Sequence, residues 1–487
     1  MVSARITPLV STALGAALAF YSLLALDKNS LGKFQIIFIF LGLLLGAVSI
    51  LPLDMQKGFR LLSRSVVFFS LGLMLGIAAS EYATEKLSLG LNPQRVDQLL
   101  GYLDSDVREL DTGSFLAVSR IKEAKSLPIS TSSSGKITVF MKNDLGRELS
   151  AFGKGSLLSF TGKIKEGRSG PVFTASGAEL LQGPPPLQKM RNSLRTEVLR
   201  HFKKHSWGSL ASALLLAYKD DLESGEQDRY TSAGCAHVLS LSGMHLAVIS
   251  TLIAFLLKKP LGLKAATIFG ALFVCLYTLF VGSQASLLRS CIMYLFGATA
   301  LLCGYPRQLL PLLAAAFLFQ LIIATPSATS LSFMLSYLAL AGIGIIGSAF
   351  DDLSRAYLPT LIRSPLSASL GAFIATAALC LAAFGQLRPI GLLASLFVVP
   401  ITSLIMIGSL LWLFLDILIP PLSPILSIPL SFLVKINTSF TTQASKVRAI
   451  DTLSMFSVFL LSLALSIFLV YGRKRRNEMR QHIDPFD

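Results

Sequence analysis

Charge is scarce in this sequence, and so are the residues that most soluble enzymes use for chemistry. Only 14% of the 487 residues are charged, and the chain has five histidines, five cysteines and two tryptophans. It contains no Walker A loop, HExxH pair, GxSxG elbow or HxHxDH cluster. These absences argue against a nucleotide-driven motor, a zinc protease, an α/β-hydrolase or a metallo-β-lactamase-type nuclease. We therefore expect no enzymatic activity, no cofactor and no metal site.

Acidic residues are the rarer charged class, since 27 Asp and Glu stand against 43 Lys and Arg, a formal net charge of +16. This excess favours anionic partners, either lipid headgroups or nucleic acid. Basic residues that collect on cytoplasmic loops of membrane proteins account for part of it. None of the cysteines lies in the polar stretch 84–206, so no disulfide framework is predicted there.

Apolar runs are abundant, because 53% of the residues are hydrophobic. Runs of roughly 20 such residues are long enough to cross a bilayer. We predict a polytopic α-helical membrane protein with about 11–12 spans. The candidate spans are 8–26, 34–51, 65–83, 236–257, 264–281, 284–303, 309–325, 330–350, 367–384, 390–416 and 453–471. The Pro-rich stretch 419–434 either supplies one more crossing, re-enters the membrane or lies at its surface.

The polar stretch after the third span predicts a small β domain. Short alternating segments at 136–141, 156–164 and 171–175 are separated by glycine-containing breaks, as in a small barrel or sandwich, and an OB-like barrel fits. Basic loop 52–64 and the basic C-terminal segment favour cytoplasmic termini and an extracytoplasmic β domain. Four regions result: three helices in 1–83, the β domain in 84–186, a basic amphipathic helix in 187–206 and a membrane domain in 207–487.

One apolar span carries an unusual set of polar groups. Residues 234–250 read GCAHVLSLSGMHLAVIS, and polar groups at membrane depth are costly without a partner or a wet cavity. Metal binding is one interpretation, but His237 and His245 lack the i, i+4 spacing of helical zinc sites. Nucleophilic catalysis through Ser240 or Ser242 lacks a nearby acid. Close helix packing and the lining of a hydrated path remain as alternatives.

The same segment resembles the HLLAISGLHV-type signature of the ComEC-type competence proteins, the inner-membrane DNA channels of natural transformation. His237, Ser242, Gly243 and His245 match that signature position by position. Other segments similar to the family follow its order along the chain: 214–217, 230–234, 284–289, 331–336 and 395–400. The chain resembles family members that lack the C-terminal metallo-β-lactamase-like domain.

The resemblance implies a channel for single-stranded DNA in a bacterial cytoplasmic membrane. Its expected partners are the DNA strand, membrane lipid, an external DNA receptor, a separate nuclease, and a cytoplasmic translocase or strand-binding protein. A homo-oligomer is compatible with it. The residues expected along the path are His237, Ser240, Ser242, Gly243, His245, Gln284 and Arg289. A helix-end role at the membrane surface is the alternative for Arg289.

Basic residues of the β domain and of the basic helix are the expected external contacts for DNA: Lys136, Lys142, Lys163, Lys165, Arg191 and Arg195. The basic helix is equally typical of an anchor at a membrane surface. Four phenylalanines of the β domain either fill its core or offer faces for base stacking: Phe140, Phe152, Phe160 and Phe173. The rival function is a transporter or intramembrane enzyme that acts on a small or lipid-linked anion.

Overall fold

The structure is a computed structural model whose chain divides into two compact units. One unit comprises Met1–Ala83 and His205–Asp487, and the other comprises Thr84–Lys204. The residues described are 8–26, 92–104, 107–109, 114–126, 129–142, 145–146, 154–167, 170–223, 225–241, 243–282, 285–450 and 455–483. The predicted spans 34–51 and 65–83 lie outside these residues. The four region boundaries drawn from composition stay a prediction.

Helices account for most of the described chain. In order they are α1 (Pro8–Leu26), α2 (Pro186–Phe202), α3 (Gly208–Leu216), α4 (Glu226–Ser232), α5 (Ala236–Leu239), α6 (Gly243–Val281), α7 (Ala285–Leu302), α8 (Leu309–Ile323), α9 (Leu331–Ser354), α10 (Thr360–Phe384), α11 (Ile390–Leu418), α12 (Ser423–Ser445) and α13 (Met455–Ile483). Among the described residues, α6, α7, α9, α10 and α11 are long and apolar enough to cross a membrane. The predicted polytopic helical fold is confirmed, whereas the total of 11–12 spans stays a prediction.

Helix α6 is broken at Gly262, where the backbone has φ 77° and ψ 169° two residues after Pro260. Its 39 residues would extend about 58 Å as one straight helix, far beyond the roughly 30 Å of a hydrocarbon core. The break falls between the predicted spans 236–257 and 264–281. The bend at Gly262 is compatible with two crossings in α6, and their number stays a prediction.

The first of these predicted spans begins later than the sequence indicated. Residues 236–239 form the separate short helix α5, and Ser240 is extended with φ −91° and ψ 129°. The long helix begins only at Gly243. Hydrophobicity cannot distinguish these arrangements, because a broken helix and a continuous one have the same apolar content. The polar segment therefore lies where the helix is interrupted.

The other helices pack around small residues and aromatic side chains. Helix α1 contacts α8, and its Tyr21 hydroxyl donates to the Ala328 carbonyl at 2.8 Å. The Pro-rich stretch 419–434 belongs largely to α12, which packs along α11. Its role as an additional crossing stays a prediction.

Helices α9 and α10 approach most closely at three glycines. A Cβ atom at Gly371 would lie 2.6 Å from the Gly342 carbonyl oxygen and 2.7 Å from the Gly347 nitrogen. The approach occurs where α9 widens into a π-helical turn at Ile343–Gly347. Glycine is required here because any side chain would separate the two backbones.

The second unit contains a closed five-stranded barrel. Its strands are β1 (Gln98–Leu103), β2 (Arg108–Glu109), β3 (Phe115–Ser126), β4 (Ile129–Ser132), β5 (Lys136–Met141), β6 (Leu157–Gly167) and β7 (Gly170–Gln182). The barrel closes in the order β1-β6-β7-β5-β3-β1, with β5 and β7 parallel and the other neighbours antiparallel. Short β2 and β4 pair with β3 at its margin. This ring is the OB-fold arrangement, so the predicted OB-like barrel is confirmed.

The barrel core decides the role of two of its phenylalanines. Phe160 and Phe173 are both 0% exposed and pack with Leu99, Val139 and Leu158. Neither side chain is available to stack on a base, so the stacking interpretation is wrong for this pair. Phe140 is half-buried, and Phe152 lies outside the described residues.

We predict that Gly371→Ala destabilises the helical unit by about 1–3 kcal/mol, the usual cost of overpacking. The apparent melting temperature of the full-length protein in detergent measures this effect. Gly297→Ala is the matched control, because its Cβ would lie 3.8 Å from Leu312 Cδ1 in ordinary contact. The control should melt at or slightly above the wild-type temperature, since alanine favours helix more than glycine does. Equal melting of both variants would contradict the close crossing.

Candidate functional site

The segment that leads into α6 has an irregular backbone. Gly234 has φ 72°, α5 makes one turn, and the Ser240 hydroxyl donates to the His237 carbonyl at 2.8 Å. In membrane proteins, interrupted helices are tolerated where they are buried in protein or line a water-filled cavity. They also present helix ends to bound ions and substrates. The interruption between α5 and α6 makes this segment the first candidate for a functional site.

The two histidines of this segment have different environments. His237 and Ser240 are exposed, although the neighbouring Val238 and Leu239 are buried. His245 is 1% exposed, and its ring hydrogen-bonds to the backbone of Val238. His245 therefore holds α5 against the first turn of α6, whereas His237 is accessible to a ligand.

Arg289 on α7 is the buried cation nearest to this break. Its side chain is 3% exposed, so a helix-end position at the membrane surface does not describe it. Its Nη2 donates to the Ser290 hydroxyl at 3.2 Å, and its Cζ lies 5.7 Å from the centre of the Tyr337 ring. Within the described part of the chain, Nε and Nη1 have no hydrogen-bond partner.

Gly243 brings the start of α6 against this guanidinium. A Cβ atom at Gly243 would lie 2.8 Å from Ser290 Oγ and 3.1 Å from Arg289 Nη2. A side chain at this position would displace the Ser290 hydroxyl or the Arg289 guanidinium. Two of the residues expected along the path, Gly243 and Arg289, are thus neighbours in space although 46 positions separate them.

A polar network on α7, α8 and α9 surrounds Arg289 and was not foreseen from the sequence. Gln320 is 0% exposed; its Nε2 donates to the Ala285 carbonyl at 3.1 Å. The Tyr337 hydroxyl donates to Gln320 Oε1 at 2.9 Å, and the hydroxyls of Ser286 and Ser336 lie 3.0 Å apart. A glutamine within the apolar run 309–323 was the available signal.

Ser242 and Gln284 lie outside the described residues, and their place along a path stays a prediction. In the parts of the chain that the structure describes, no group of three or more His, Cys, Asp or Glu side chains is arranged to hold a metal ion. The expectation of no metal site and no cofactor likewise stays a prediction.

The predicted DNA contacts on the barrel divide into two groups. Lys142, Lys163 and Lys165 are exposed. Lys136 is instead engaged by Asp104, whose carboxylate lies 2.8 Å from its Nζ. Lys154 Nζ and Arg120 Nη2 lie 3.7 Å and 4.0 Å from the same carboxylate. Three cations surround one acid, so this surface remains positive.

An exposed aromatic side chain stands beside these cations. Tyr102 is 38% exposed and faces Arg120 across the β1–β3 pair. Tyr102 lies outside the alternating segments 136–141, 156–164 and 171–175, so the sequence pattern did not single it out. On α2, Arg191 and Arg195 are half-buried. The α2 residues Leu187, Met190 and Leu194 are more than half exposed, as expected of an amphipathic helix at a membrane surface.

Comparison with known proteins identifies one family. A family model described as "Competence protein" matches residues 214–475, more than half of the chain. The matched residues include α5, α6, the interruption between these two helices, and Arg289. No curated protein and no solved structure matches the chain.

Asp104 makes the barrel sensitive to acid. Partial burial raises the pKa of its carboxyl, but the hydrogen bond from Lys136 and the charges of Lys136, Lys154 and Arg120 outweigh burial and leave the pKa below its ordinary 3.8. A lowered pKa stabilises the fold above the ordinary value, and this contribution is lost as pH falls through the folded-state pKa.

We therefore predict that Asp104→Asn lowers the amide protection of β3 and β5 at neutral pH and flattens its decline in acid. Hydrogen exchange of the full-length protein, corrected for intrinsic rates, measures this protection. Asp97→Asn, which alters an exposed carboxylate of the same unit, should keep the wild-type profile. Identical profiles for wild type and Asp104→Asn would refute a stabilising role for the cluster.

Proposed function

Because the chain belongs to the competence protein family, we propose that it is the channel through which single-stranded DNA crosses the cytoplasmic membrane during natural transformation. Family membership itself associates the chain with DNA uptake. The observation that carries the finer proposal is the cation Arg289, buried beside a helix break within the matched region. A membrane domain with only structural tasks gains nothing from such a charge.

The chemistry of a DNA strand explains why such groups are needed. A strand carries one negative charge per nucleotide, and hydrocarbon cannot replace the hydration of its phosphates. A path must therefore provide cations and hydrogen-bond donors. The unpaired donors of Arg289 and the exposed side chain of His237 are of this kind. Ser240 is exposed beside His237, and its hydroxyl donates to the His237 carbonyl. Ser242 and Gln284, which lie outside the described residues, and the buried His245 stay predicted members of the path.

The barrel is proposed to receive the strand on the outer side of the membrane. Its exposed Lys142, Lys163 and Lys165 attract a polyanion. We place the barrel on the outer side because basic loops are expected on the cytoplasmic side of the membrane. Among them are the exposed Lys258, Lys259 and Lys264 at the bend of α6. The start of α6 then faces outward, and both termini are cytoplasmic if the stretch 419–434 supplies one more crossing.

Other proteins are proposed to supply the remaining steps. A receptor delivers DNA, a nuclease degrades the second strand, and a cytoplasmic translocase or strand-binding protein draws the strand inward. The sequence has no Walker A loop, so this chain is not expected to hydrolyse nucleotides. A homo-oligomer is compatible with this scheme.

A transporter of a small or lipid-linked anion is the second candidate. One buried guanidinium suits a single phosphate group as well as a strand that passes by, and the same Arg289 favours both functions. Uptake of labelled DNA separates them, because only the channel is required for DNA to reach the cytoplasm.

We predict that deletion of the gene abolishes entry of labelled DNA into the cytoplasm and that the wild-type gene restores it. Complementation with His237→Ala should lower transformation by about tenfold, the expected loss of a hydrogen bond to a charged ligand. Because His237 is exposed, its truncation leaves no internal cavity, and membrane levels of the protein should stay normal.

His201→Ala is the control, since His201 lies on α2 in the other unit and contacts Glu197 at 3.3 Å. It should transform as the wild type does. Normal transformation after gene deletion would remove the channel function, and normal uptake by His237→Ala would remove His237 from the path.

A further inference from the structure

An arginine from a loop far along the chain holds the end of α4, just before α5. Arg388 lies in the connection between α10 and α11, and its Nη1 donates to the Ser232 carbonyl at 3.1 Å. The last carbonyls of an α-helix lack intrahelical partners. In α4, the carbonyls of residues 229–231 accept from the backbone amides of residues 233–235. Arg388 supplies the donor for Ser232, the last residue of α4, and so completes this helix end.

Arg388 is itself held in place by its own loop. Its Nη2 donates to Gln386 Oε1 at 3.0 Å. The neighbouring Leu387 exchanges two backbone hydrogen bonds with Ile450, each 2.8 Å long. The planar guanidinium therefore joins two neutral oxygens, and it fixes the position of α4 against this loop rather than neutralising a charge.

Two glycines bring the same segment against the first turn of α11. A Cβ atom at Gly391 would lie 2.7 Å from the Gly234 carbonyl oxygen, and a Cβ atom at Gly234 would lie 2.7 Å from Gly391 Cα. Gly234 also has φ 72°, a conformation that favours glycine. The Gly234 carbonyl therefore packs directly on α11, with no room for a side chain between the two backbones.

The Gly234 carbonyl is the group that orients His237. The His237 ring hydrogen-bonds to the backbone of Gly234. Because the Gly234 amide already donates to the Thr231 carbonyl at 3.0 Å, the ring donates one N–H to the Gly234 carbonyl. Such a hydrogen bond fixes the orientation of an imidazole and determines which of its nitrogens carries the proton. The other ring nitrogen of this exposed side chain is then left for a ligand.

We propose that Arg388 and Gly391 are positioning residues for His237. They hold the Gly234 carbonyl in place, and this carbonyl directs the His237 ring toward the DNA path. The assignment rests on the proposed function for the identity of the ligand. The positioning itself is a property of the protein without DNA, so it can be measured separately.

The first experiment measures the positioning without DNA. Full-length protein is reconstituted in nanodiscs, and hydrogen exchange of residues 233–238, corrected for intrinsic rates, is compared between variants. Arg388→Met keeps an unbranched side chain but removes every donor, so it should lower the amide protection of this segment. Arg355→Met, which changes an exposed arginine in the loop after α9, should keep the wild-type protection. Unchanged protection in Arg388→Met would overturn the proposal.

The second experiment tests whether Arg388 acts through His237. Uptake of labelled DNA is measured in a double-mutant cycle of Arg388→Met and His237→Ala. Arg388→Met alone should lower uptake by up to about tenfold, the loss expected for His237→Ala. In the His237→Ala background it should add no further loss.

An equal loss in both backgrounds would overturn the proposal. An arginine that contacts DNA itself, or one that only supports the fold, lowers uptake whichever residue occupies position 237. Arg388→Lys can still donate to the Ser232 carbonyl, although it lacks the planar fork, and should recover part of the uptake. Uptake by Arg388→Lys no better than that of Arg388→Met would contradict the role of the Ser232 hydrogen bond.

Gly391→Ala tests the same carbonyl without changing Arg388. Its Cβ meets the Gly234 oxygen, so it should reproduce the loss of uptake, whereas Gly297→Ala, whose Cβ lies in ordinary contact, should not. Equal uptake by these two variants would remove Gly391 from the proposal. Should Arg388→Met not accumulate in the membrane, the cycle with Gly391→Ala and His237→Ala decides the outcome.

The proposed function is judged separately by uptake after gene deletion. Normal uptake in that assay would remove the channel and leave the hydrogen-exchange result standing. Unchanged exchange in Arg388→Met would remove only the positioning role.

Discussion

The arrangement of the helical unit depends on one electrostatic constraint: a positive charge lies inside it without a negative partner among the described residues. Arg289 is held by Ser290 and by the Tyr337 ring, and neither compensates its charge. Gly243 at the start of α6 packs directly against the Ser290 hydroxyl and the Arg289 guanidinium.

The helical unit contains a local polar network around this charge. Most of the described unit is a conventional membrane bundle in which glycines and aromatic rings set the helix crossings. Polar side chains of α7, α8 and α9 lie around Arg289, where Gln320 and Tyr337 satisfy each other. Among the described residues, two nitrogens of Arg289 are the polar atoms of this network that lack a partner.

The architecture was largely predictable from the sequence, because apolar runs and alternating strands depend on local composition. The OB-like barrel was predicted from short alternating strands separated by glycines. The bend of α6 at Gly262 was predicted from the gap between two apolar runs. The break before Gly243 was not predictable, since the residues on both sides of it are equally apolar. The pairing of Arg289 with Gly243 depends on tertiary structure. The ion pair between Lys136 and Asp104 and the burial of Phe160 also depend on tertiary structure. The periodicity of the chain alone does not reveal them.

The most direct test of a DNA path is cross-linking of a strand held in transit. A photoreactive amino acid replaces His237 in one variant, and replaces the exposed Leu272 on the outer surface of α6 in a control. Cells then take up a labelled strand whose trailing end carries a bulky protein block. A conduit beside the break predicts cross-links to DNA from position 237 and none from position 272. Lipid adducts alone at both positions would contradict it.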